Sequence, residues 1–141
     1  LYNIVKEHSN EEILILSRRK TFNGEPLREY EMHLKKLIKE DIKNKKSEWL
    51  DIRKVESSIE MTTVHTKKGG EAKTVIIMGA NEGDFPLLHP NNRLFNVFDA
   101  KPDEYMKKNL EEERRLFYVA ATRAIDNIYF VYEKGCPTPF L

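Results

Sequence analysis

The sequence predicts an α/β domain built on a mostly parallel sheet. Short, nearly continuous apolar runs alternate along the chain with longer amphipathic stretches, which is typical of strands alternating with helices. Runs without a polar break indicate strands that are covered on both faces, as in parallel sheets. A chain of 141 residues with 40% hydrophobic and 33% charged residues is long enough to bury a core and excludes a low-complexity chain.

Four strands are predicted in chain order. Residues 13–16, 75–78 and 128–132 are apolar runs of strand length, and the last two are closed by Gly79 and by Gly135. Residues 59–64 are rich in β-branched and other strand-forming side chains, so we place a further strand there.

Two helices are predicted between the strands. The first begins near Pro26, which suits a first helical turn, and apolar side chains then recur at helical spacing at Leu27, Tyr30, Leu34, Leu37, Ile38 and Ile42. The second covers 103–124, where one stripe is traced by Leu110, Arg114, Phe117 and Ala121. Spacing also allows Glu111 to pair with Arg114 or Arg115 along this helix.

Composition excludes several classes of protein. The chain carries 24 Lys and Arg against 23 Asp and Glu, so a net charge of +1 neither favours nor opposes a polyanionic partner, and any such site has to be local. The single cysteine, Cys136, excludes an internal disulfide framework and a cysteine-based zinc site, and fits a reducing, cytoplasmic compartment. No apolar run reaches the roughly 18 residues that span a bilayer, so we expect no membrane partner. A first residue other than Met leads us to expect a piece of a larger protein.

The segment 63–71 concentrates chemistry between two predicted strands. It holds hydroxyls, the His65 imidazole, the lysines Lys67 and Lys68, and the glycine pair Gly69-Gly70. Backbone amides freed by glycine beside cationic side chains suit phosphate oxygens, and loops that leave the carboxyl ends of strands are where open α/β sheets bind ligands. A plain surface turn is the alternative.

A phosphate-binding P-loop is excluded. Residues 69–74 resemble one only faintly, because Ala72 stands where glycine must precede Lys-Thr, and because a strand rather than a helix follows. An ATPase built on this chain has to take its phosphate cradle from another domain.

The segment 111–124 is the second candidate. A salt-bridged amphipathic helix explains its first half, but not Thr122-Arg123-Ala124, where an arginine stands among small residues just before the last strand. An arginine so placed can project beyond the domain towards the phosphate of a neighbour. We therefore expect the Arg123 side chain at the rim of the domain.

These two segments resemble motifs V and VI of superfamily 1 DNA helicases of the UvrD/Rep type. Motif V, at about 62–75, is matched by Thr63, His65, Lys68, Gly69 and Glu71. Motif VI, at about 111–124, is matched from Glu112 to Ala124. Residues 79–86 resemble the family's Glu-Gly-x-Phe-Pro turn, and 12–18 resemble the strand that precedes motif V.

The resemblance implies the second RecA-like motor domain of a helicase, covering 1–141. Such a domain is a three-layer α/β unit with the P-loop NTPase fold but without its own P-loop. ATP would lie between it and the N-terminal RecA-like domain of the same polypeptide, which holds the Mg²⁺. The full-length protein would be an ATP-dependent DNA helicase that grips single-stranded DNA, whereas the isolated chain would be inactive.

The resemblance also assigns roles residue by residue. Arg123 would be the arginine finger and the catalytic residue, and Gly69 and Glu71 would join it in binding ATP. Thr63, His65 and Thr66 would contact single-stranded DNA, with a structural hydrogen bond as the alternative for His65. No residue of the chain is assigned to a metal.

Some positions depart from the family pattern, and other functions stay open. Gly70 and Ala72 stand where the family more often has Leu and an aromatic residue, which puts the position of the Glu71 loop in doubt. Only 42 residues separate Leu16 from Ile59, too few for the large helical subdomain of many relatives. The alternatives are a motor domain of a helicase-nuclease and a RecA-like interaction domain without motor activity.

Overall fold

The chain folds into three layers, with helices on both faces of a parallel sheet. A computed structural model describes residues 1–44, 57–67, 69–87 and 102–141. Their elements are, in chain order, α1 (Tyr2–Glu7), β1 (Ile13–Ser17), β2 (Thr21–Phe22), β3 (Glu25–Pro26), α2 (Leu27–Asn44), β4 (Ile59–Thr63), β5 (Ala72–Met78), α3 (Pro102–Ala121) and β6 (Ala124–Val131).

The main sheet has the strand order β4-β1-β5-β6, and every pair in it is parallel. All strands therefore end at one edge of the sheet, here called the carboxyl edge, and begin at the opposite one, the amino edge. All five residues of the central strand β1 are buried, as its unbroken apolar run predicts. The predicted α/β class with a mostly parallel sheet is confirmed.

Two apolar clusters hold the layers together, one on each face of the sheet. On one face α1 and α2 pack through Val5, Leu34 and Ile38 against a set that includes Ile13, Ile15, Ile76 and Met78. On the other face α3 packs through Phe117 and Ala120 against a set that includes Leu14, Leu16, Val75 and Ile77. Each fully buried aliphatic side chain stabilises such a core by about 1.5–3 kcal/mol.

The boundary between α3 and β6 differs from the prediction. The helix ends at Ala121 rather than at 124, and β6 begins at Ala124, four residues before the predicted strand. As an edge strand β6 exposes Ile125 and Asp126, so its first half lacks the continuous apolar run by which central strands are recognised. Arg123 therefore lies in a turn after the helix and not in its last turn.

Helix α1 and the two short strands β2 and β3 were not predicted. Helix α1 is only six residues long, too short to show a helical period. The antiparallel pair β2–β3 turns at Asn23-Gly24, where both residues have positive φ (51° and 83°) as a type I′ turn requires. Asn-Gly is the common sequence signal for this turn, so the hairpin could have been found.

The C-terminal segment after β6 packs over the loop that follows β5. Thr138 donates from its backbone N–H to the carbonyl of Ala80 (2.7 Å) and from its hydroxyl to the carbonyl of Phe85. Phe140 packs on Phe117, with ring centroids 5.7 Å apart. These contacts fix the Gly-Asp-Phe-Pro loop at the carboxyl edge. Within the described ranges, no helix is both long and apolar enough to cross a membrane.

Candidate functional site

The segment 63–71 connects opposite edges of the sheet. Thr63 is the last residue of β4 and pairs with Ser17 at the carboxyl edge, whereas β5 begins at Ala72 at the amino edge. The connecting residues therefore run the length of the sheet. The expectation of a single loop at the carboxyl ends of strands is wrong for Gly69, Gly70 and Glu71, which reach the amino edge.

A hydroxyl-bonded turn forms the carboxyl-edge part of the segment. The Thr63 and Thr66 hydroxyl oxygens lie 2.7 Å apart in a hydrogen bond, and the Thr66 backbone N–H donates to the Thr63 hydroxyl (3.2 Å). The backbone N–H of Val64 donates to the carbonyl of Ser17 (3.0 Å), which fixes the turn to β1. Thr63 is buried, while His65 and Thr66 are exposed and accessible to a ligand.

Arg123 and the glycine pair meet at the amino edge. The Arg123 guanidinium donates through Nη1 to the carbonyl of Gly70 (2.9 Å), and the Ala72 backbone N–H donates to the carbonyl of Arg123 (3.0 Å). Both Gly69 and Gly70 have left-handed backbones, with φ of 87° and 90°, which a side chain would strain. The Arg123 side chain thus lies at the rim of the domain, beside the loop that carries Glu71.

Glu71 faces an open cleft at the same edge. The cleft has a volume of about 250 Å³ and is lined by Glu12, Ile13, Leu14, Ser57, Ser58, Glu60, Lys67, Glu71 and Ala72. Most of these residues stand at or just before the first residues of β1, β4 and β5. Lys67 is paired with Glu60 across the cleft, whereas Glu71 is exposed. A carboxylate in this position can accept hydrogen bonds from the hydroxyls of a ligand.

The surface beside Arg123 is apolar and exposed. Tyr118 and Val119 on α3 expose 67% and 38% of their surface, and Ile125 on β6 exposes 59%. These three apolar side chains lie within five residues of Arg123 in sequence and are accessible in this domain.

A bidentate ion pair ties α3 to the carboxyl edge. Arg18, directly after β1, donates from Nη2 to Glu113 Oε1 (2.6 Å) and from Nε to Glu113 Oε2 (3.1 Å). The backbone N–H of Leu87 donates to the same Oε2 (3.1 Å). The Arg18 and Glu113 side chains are only 15% and 13% exposed. Together they join three separate parts of the chain.

Hydrogen bonds and nearby charges together outweigh the effect of burial on the pKa of Glu113. Burial by itself raises the pKa of this carboxyl, but the hydrogen bonds from Arg18 and Leu87 and the positive charges of Arg18 and His65 hold the pKa below its usual value. The carboxylate is therefore charged at neutral pH.

Sequence reasoning missed this pair. Helical spacing allows Glu111 to pair with Arg114 or Arg115, but the described residues show no such ion pair. Arg114 instead lies over the Phe140 ring, 5.8 Å from its centroid. The signal that could have found the pair is Arg18 at the end of a buried strand, since a charge there needs a partner.

Two further expectations concern ligands. Lys68, which matches motif V, lies outside the described residues. In the ranges that the structure describes, no three His, Cys, Asp or Glu side chains are grouped to hold a metal ion. At the amino edge the Arg123 guanidinium is a hydrogen-bond donor and the Glu71 carboxylate is an acceptor.

Comparison with known proteins identifies a helicase family. The sequence model of the UvrD-like helicase C-terminal domain matches residues 1–135. The chain is 40% identical over 77 residues to a probable DNA helicase II homolog of Mycoplasma capricolum, and the match covers 55% of this chain and 9% of that protein. It is 35% identical over 99 residues to the ATP-dependent DNA helicase Rep of Buchnera aphidicola, covering 70% of this chain and 13% of the relative.

A third relative is DNA helicase IV of Escherichia coli, which is 34% identical over 85 residues, or 59% of this chain and 12% of that protein. The matched part thus spans only about a tenth of the length of these relatives.

Proposed function

The chain belongs to the family of UvrD-like helicase C-terminal domains, and we propose that it is the second motor domain of an ATP-dependent DNA helicase. In this proposal the domain completes an ATP site at its amino edge and grips single-stranded DNA at its carboxyl edge. The longer polypeptide supplies the N-terminal motor domain. The names of the relatives, which are DNA helicases, support this assignment.

The observation that carries the proposal is the meeting of Arg123 with the Gly69–Glu71 loop. These residues lie about 50 positions apart in sequence, yet the Arg123 guanidinium bonds the carbonyl of Gly70, next to Glu71. Neither a stable fold nor a stable helix end requires a half-buried arginine beside an exposed carboxylate there. A planar, permanently charged guanidinium can instead hold phosphate oxygens through two parallel hydrogen bonds.

At the ATP site Arg123 would act on the γ-phosphate. Its charge stabilises the charge that develops on the transferred phosphoryl group, an effect worth roughly 10³–10⁵ in rate where it has been measured in NTPases. Glu71 would bind a ribose hydroxyl, and the left-handed glycines would let the backbone approach the nucleotide. Mg²⁺, held by the other motor domain, would neutralise phosphate charge when bound.

In this proposal the N-terminal motor domain packs against this domain. The sequence has no P-loop of its own, so the phosphates need a cradle from outside this domain. The exposed apolar patch of Tyr118, Val119 and Ile125 lies next to Arg123 and would be buried when the two domains close on ATP.

DNA contact is assigned to the carboxyl edge. His65 and Thr66 are exposed on the hydroxyl-bonded turn and would contact phosphates of the single strand, while the buried Thr63 would shape the turn. Contacts of this kind carry little sequence information, so binding should be largely independent of sequence and should weaken with salt.

Replacement of Arg123 tests the proposal. In the full-length protein we expect Arg123→Ala to lower DNA-stimulated ATP hydrolysis by roughly 10³-fold or more. The matched control is Arg28→Ala, which removes an exposed arginine of α2 on the other face of the sheet. Wild-type turnover in the Arg123 variant would remove the assignment.

A further inference from the structure

The Arg18–Glu113 pair is more than a surface ion pair. Both side chains are largely shielded from water, both carboxylate oxygens of Glu113 are bonded, and the backbone of Leu87 adds a third hydrogen bond. A charged group so enclosed has one favourable geometry, because moving either partner leaves an unpaired buried charge. The pair therefore fixes α3 relative to the end of β1.

One partner of the pair is directly connected to the predicted DNA contact. Arg18 follows Ser17, and the Ser17 carbonyl accepts the hydrogen bond from Val64 that holds the Thr63–Thr66 turn. His65, within this turn, lies close enough for its charge to lower the pKa of the Glu113 carboxyl. A phosphate bound at His65 or Thr66 would thus act on the Arg18–Glu113 pair through one residue of backbone and through the local field.

The other partner is directly connected to the predicted arginine finger. Glu113 and Arg123 are ten residues apart along α3 and the turn that ends it, or about 15 Å along a helix. Between them Phe117 and Ala120 are buried against the sheet, and the backbone N–H groups of Thr122 and Arg123 still bond to carbonyls of the helix. The helix and its terminal hydrogen bonds thus form a continuous connection from Glu113 to Arg123.

We propose that Glu113, held by Arg18, is the positioning residue that couples DNA contact at the carboxyl edge to the placement of Arg123 at the amino edge. This inference rests on the proposed function of the two edges. Glu113 touches neither ligand in it. Through its ion pair with Arg18, a displacement of the Thr63–Thr66 turn would move α3 and therefore Arg123. Without the pair, β1 could shift relative to α3 and Arg123 would stay in place.

The experiment separates this role from a merely structural one. In the full-length protein, Glu113→Gln keeps the size of the side chain and removes its charge. ATP turnover is measured without DNA and with saturating single-stranded oligonucleotide of mixed sequence. We expect turnover without DNA to stay within about twofold, and stimulation by DNA to fall about tenfold, within the usual range of coupling between two sites. The matched control is Glu111→Gln, an exposed carboxylate on the same helix, which should change neither value.

Each outcome decides the question. Equal losses with and without DNA would show a structural tie only, and no loss at all would show that coupling takes another route; either result overturns the proposal. If Glu113→Gln is unfolded at the assay temperature, Arg18→Lys replaces it, since lysine keeps the charge but loses the bidentate geometry. Failure of the Arg123→Ala test would instead remove the proposed function itself, so the two failures are distinguishable.

Discussion

Both edges of the sheet carry polar groups but arrange them differently. At the carboxyl edge Arg18, Glu113 and Thr63 are buried or nearly so, and they bond to one another or to backbone. At the amino edge the Arg123 side chain makes its hydrogen bond to one carbonyl, and Glu71 is open to solvent. The Arg18–Glu113 pair is satisfied within this domain, although His65 and Thr66 at the same edge are exposed, whereas the amino edge leaves the Glu71 carboxylate open to solvent. In the proposed function the buried ion pair would fix the position of α3, and the accessible side chains at the amino edge would form one half of the ATP site.

The largest effect should come from breaking the buried pair at the carboxyl edge. Arg18→Met leaves Glu113 charged and without its main partner, so the free energy of unfolding of the 141-residue chain should fall by about 3 kcal/mol. Urea denaturation at pH 7 measures it.

The neighbouring residue is the control. Arg19→Met breaks an ion pair with Asp84 whose side chains are 53% and 25% exposed, and should cost less than about 1 kcal/mol. Equal costs at the two positions would mean that burial does not distinguish Arg18 from its neighbour.

The pH dependence of stability should follow from the same pair, with a smaller effect. The pKa of Glu113 is lower in the folded chain than in the unfolded one, so its carboxylate stabilises the fold above the unfolded value and loses that contribution as pH falls through the folded value. The difference in unfolding free energy between the wild type and Glu113→Gln should therefore be constant near neutral pH and shrink below about pH 4.3, the usual glutamate pKa. Chemical denaturation between pH 3 and pH 7 measures it, and a difference that does not change with pH would contradict the assignment.

The sequence predicts the fold more fully than it predicts the side-chain contacts at the two edges of the sheet. The central strands were found because burial on both faces leaves them with runs of apolar residues, as in the first four residues of β1. The partner of Glu113 was missed, because helical spacing offers Glu113 and Glu111 the same local choices, and the packing of α3 on the sheet selects Arg18.

Sequence analysis singled out the residues that meet at the amino edge, but it did not predict at which edge of the sheet they meet. Glycines and an arginine signal a phosphate-binding loop by their chemistry. That Gly70 and Arg123 meet at the start of the strands depends on a connection that crosses the whole sheet, and spacing does not specify it.

Substitution of Gly70 tests the amino edge with a moderate loss of stability. Gly70→Ala places a side chain at φ of 90°, and its Cβ would lie 3.2 Å from the movable Cε of Lys67, so backbone strain of about 1–2 kcal/mol dominates the loss of stability. Because the Gly70 carbonyl holds Arg123, we also expect DNA-stimulated ATP hydrolysis by the full-length protein to fall.

Gly24→Ala is the matched control for this change. Gly24 has a φ of 83° with no atom within 4 Å of the added Cβ, and it lies in the β2–β3 hairpin. Gly24→Ala should lower the temperature of thermal unfolding by a similar amount. ATP hydrolysis by the full-length protein should stay unchanged. A parallel loss of hydrolysis in both variants would trace the effect to stability rather than to Arg123.

The smallest effect should come from one hydroxyl at the carboxyl edge. Thr66→Val removes the bond to the Thr63 hydroxyl, which should lower stability by about 1 kcal/mol, and removes a proposed phosphate contact. Single-strand affinity of the full-length protein, followed by fluorescence anisotropy, should fall severalfold, whereas the exposed Thr21→Val should leave it unchanged. The slope of log affinity against log salt should not change in either variant, because a hydroxyl displaces no counterion. A changed slope would mean that the substitution has moved a cation such as His65, in its protonated form, or Lys67, and that the turn orders charges rather than contributing the contact itself.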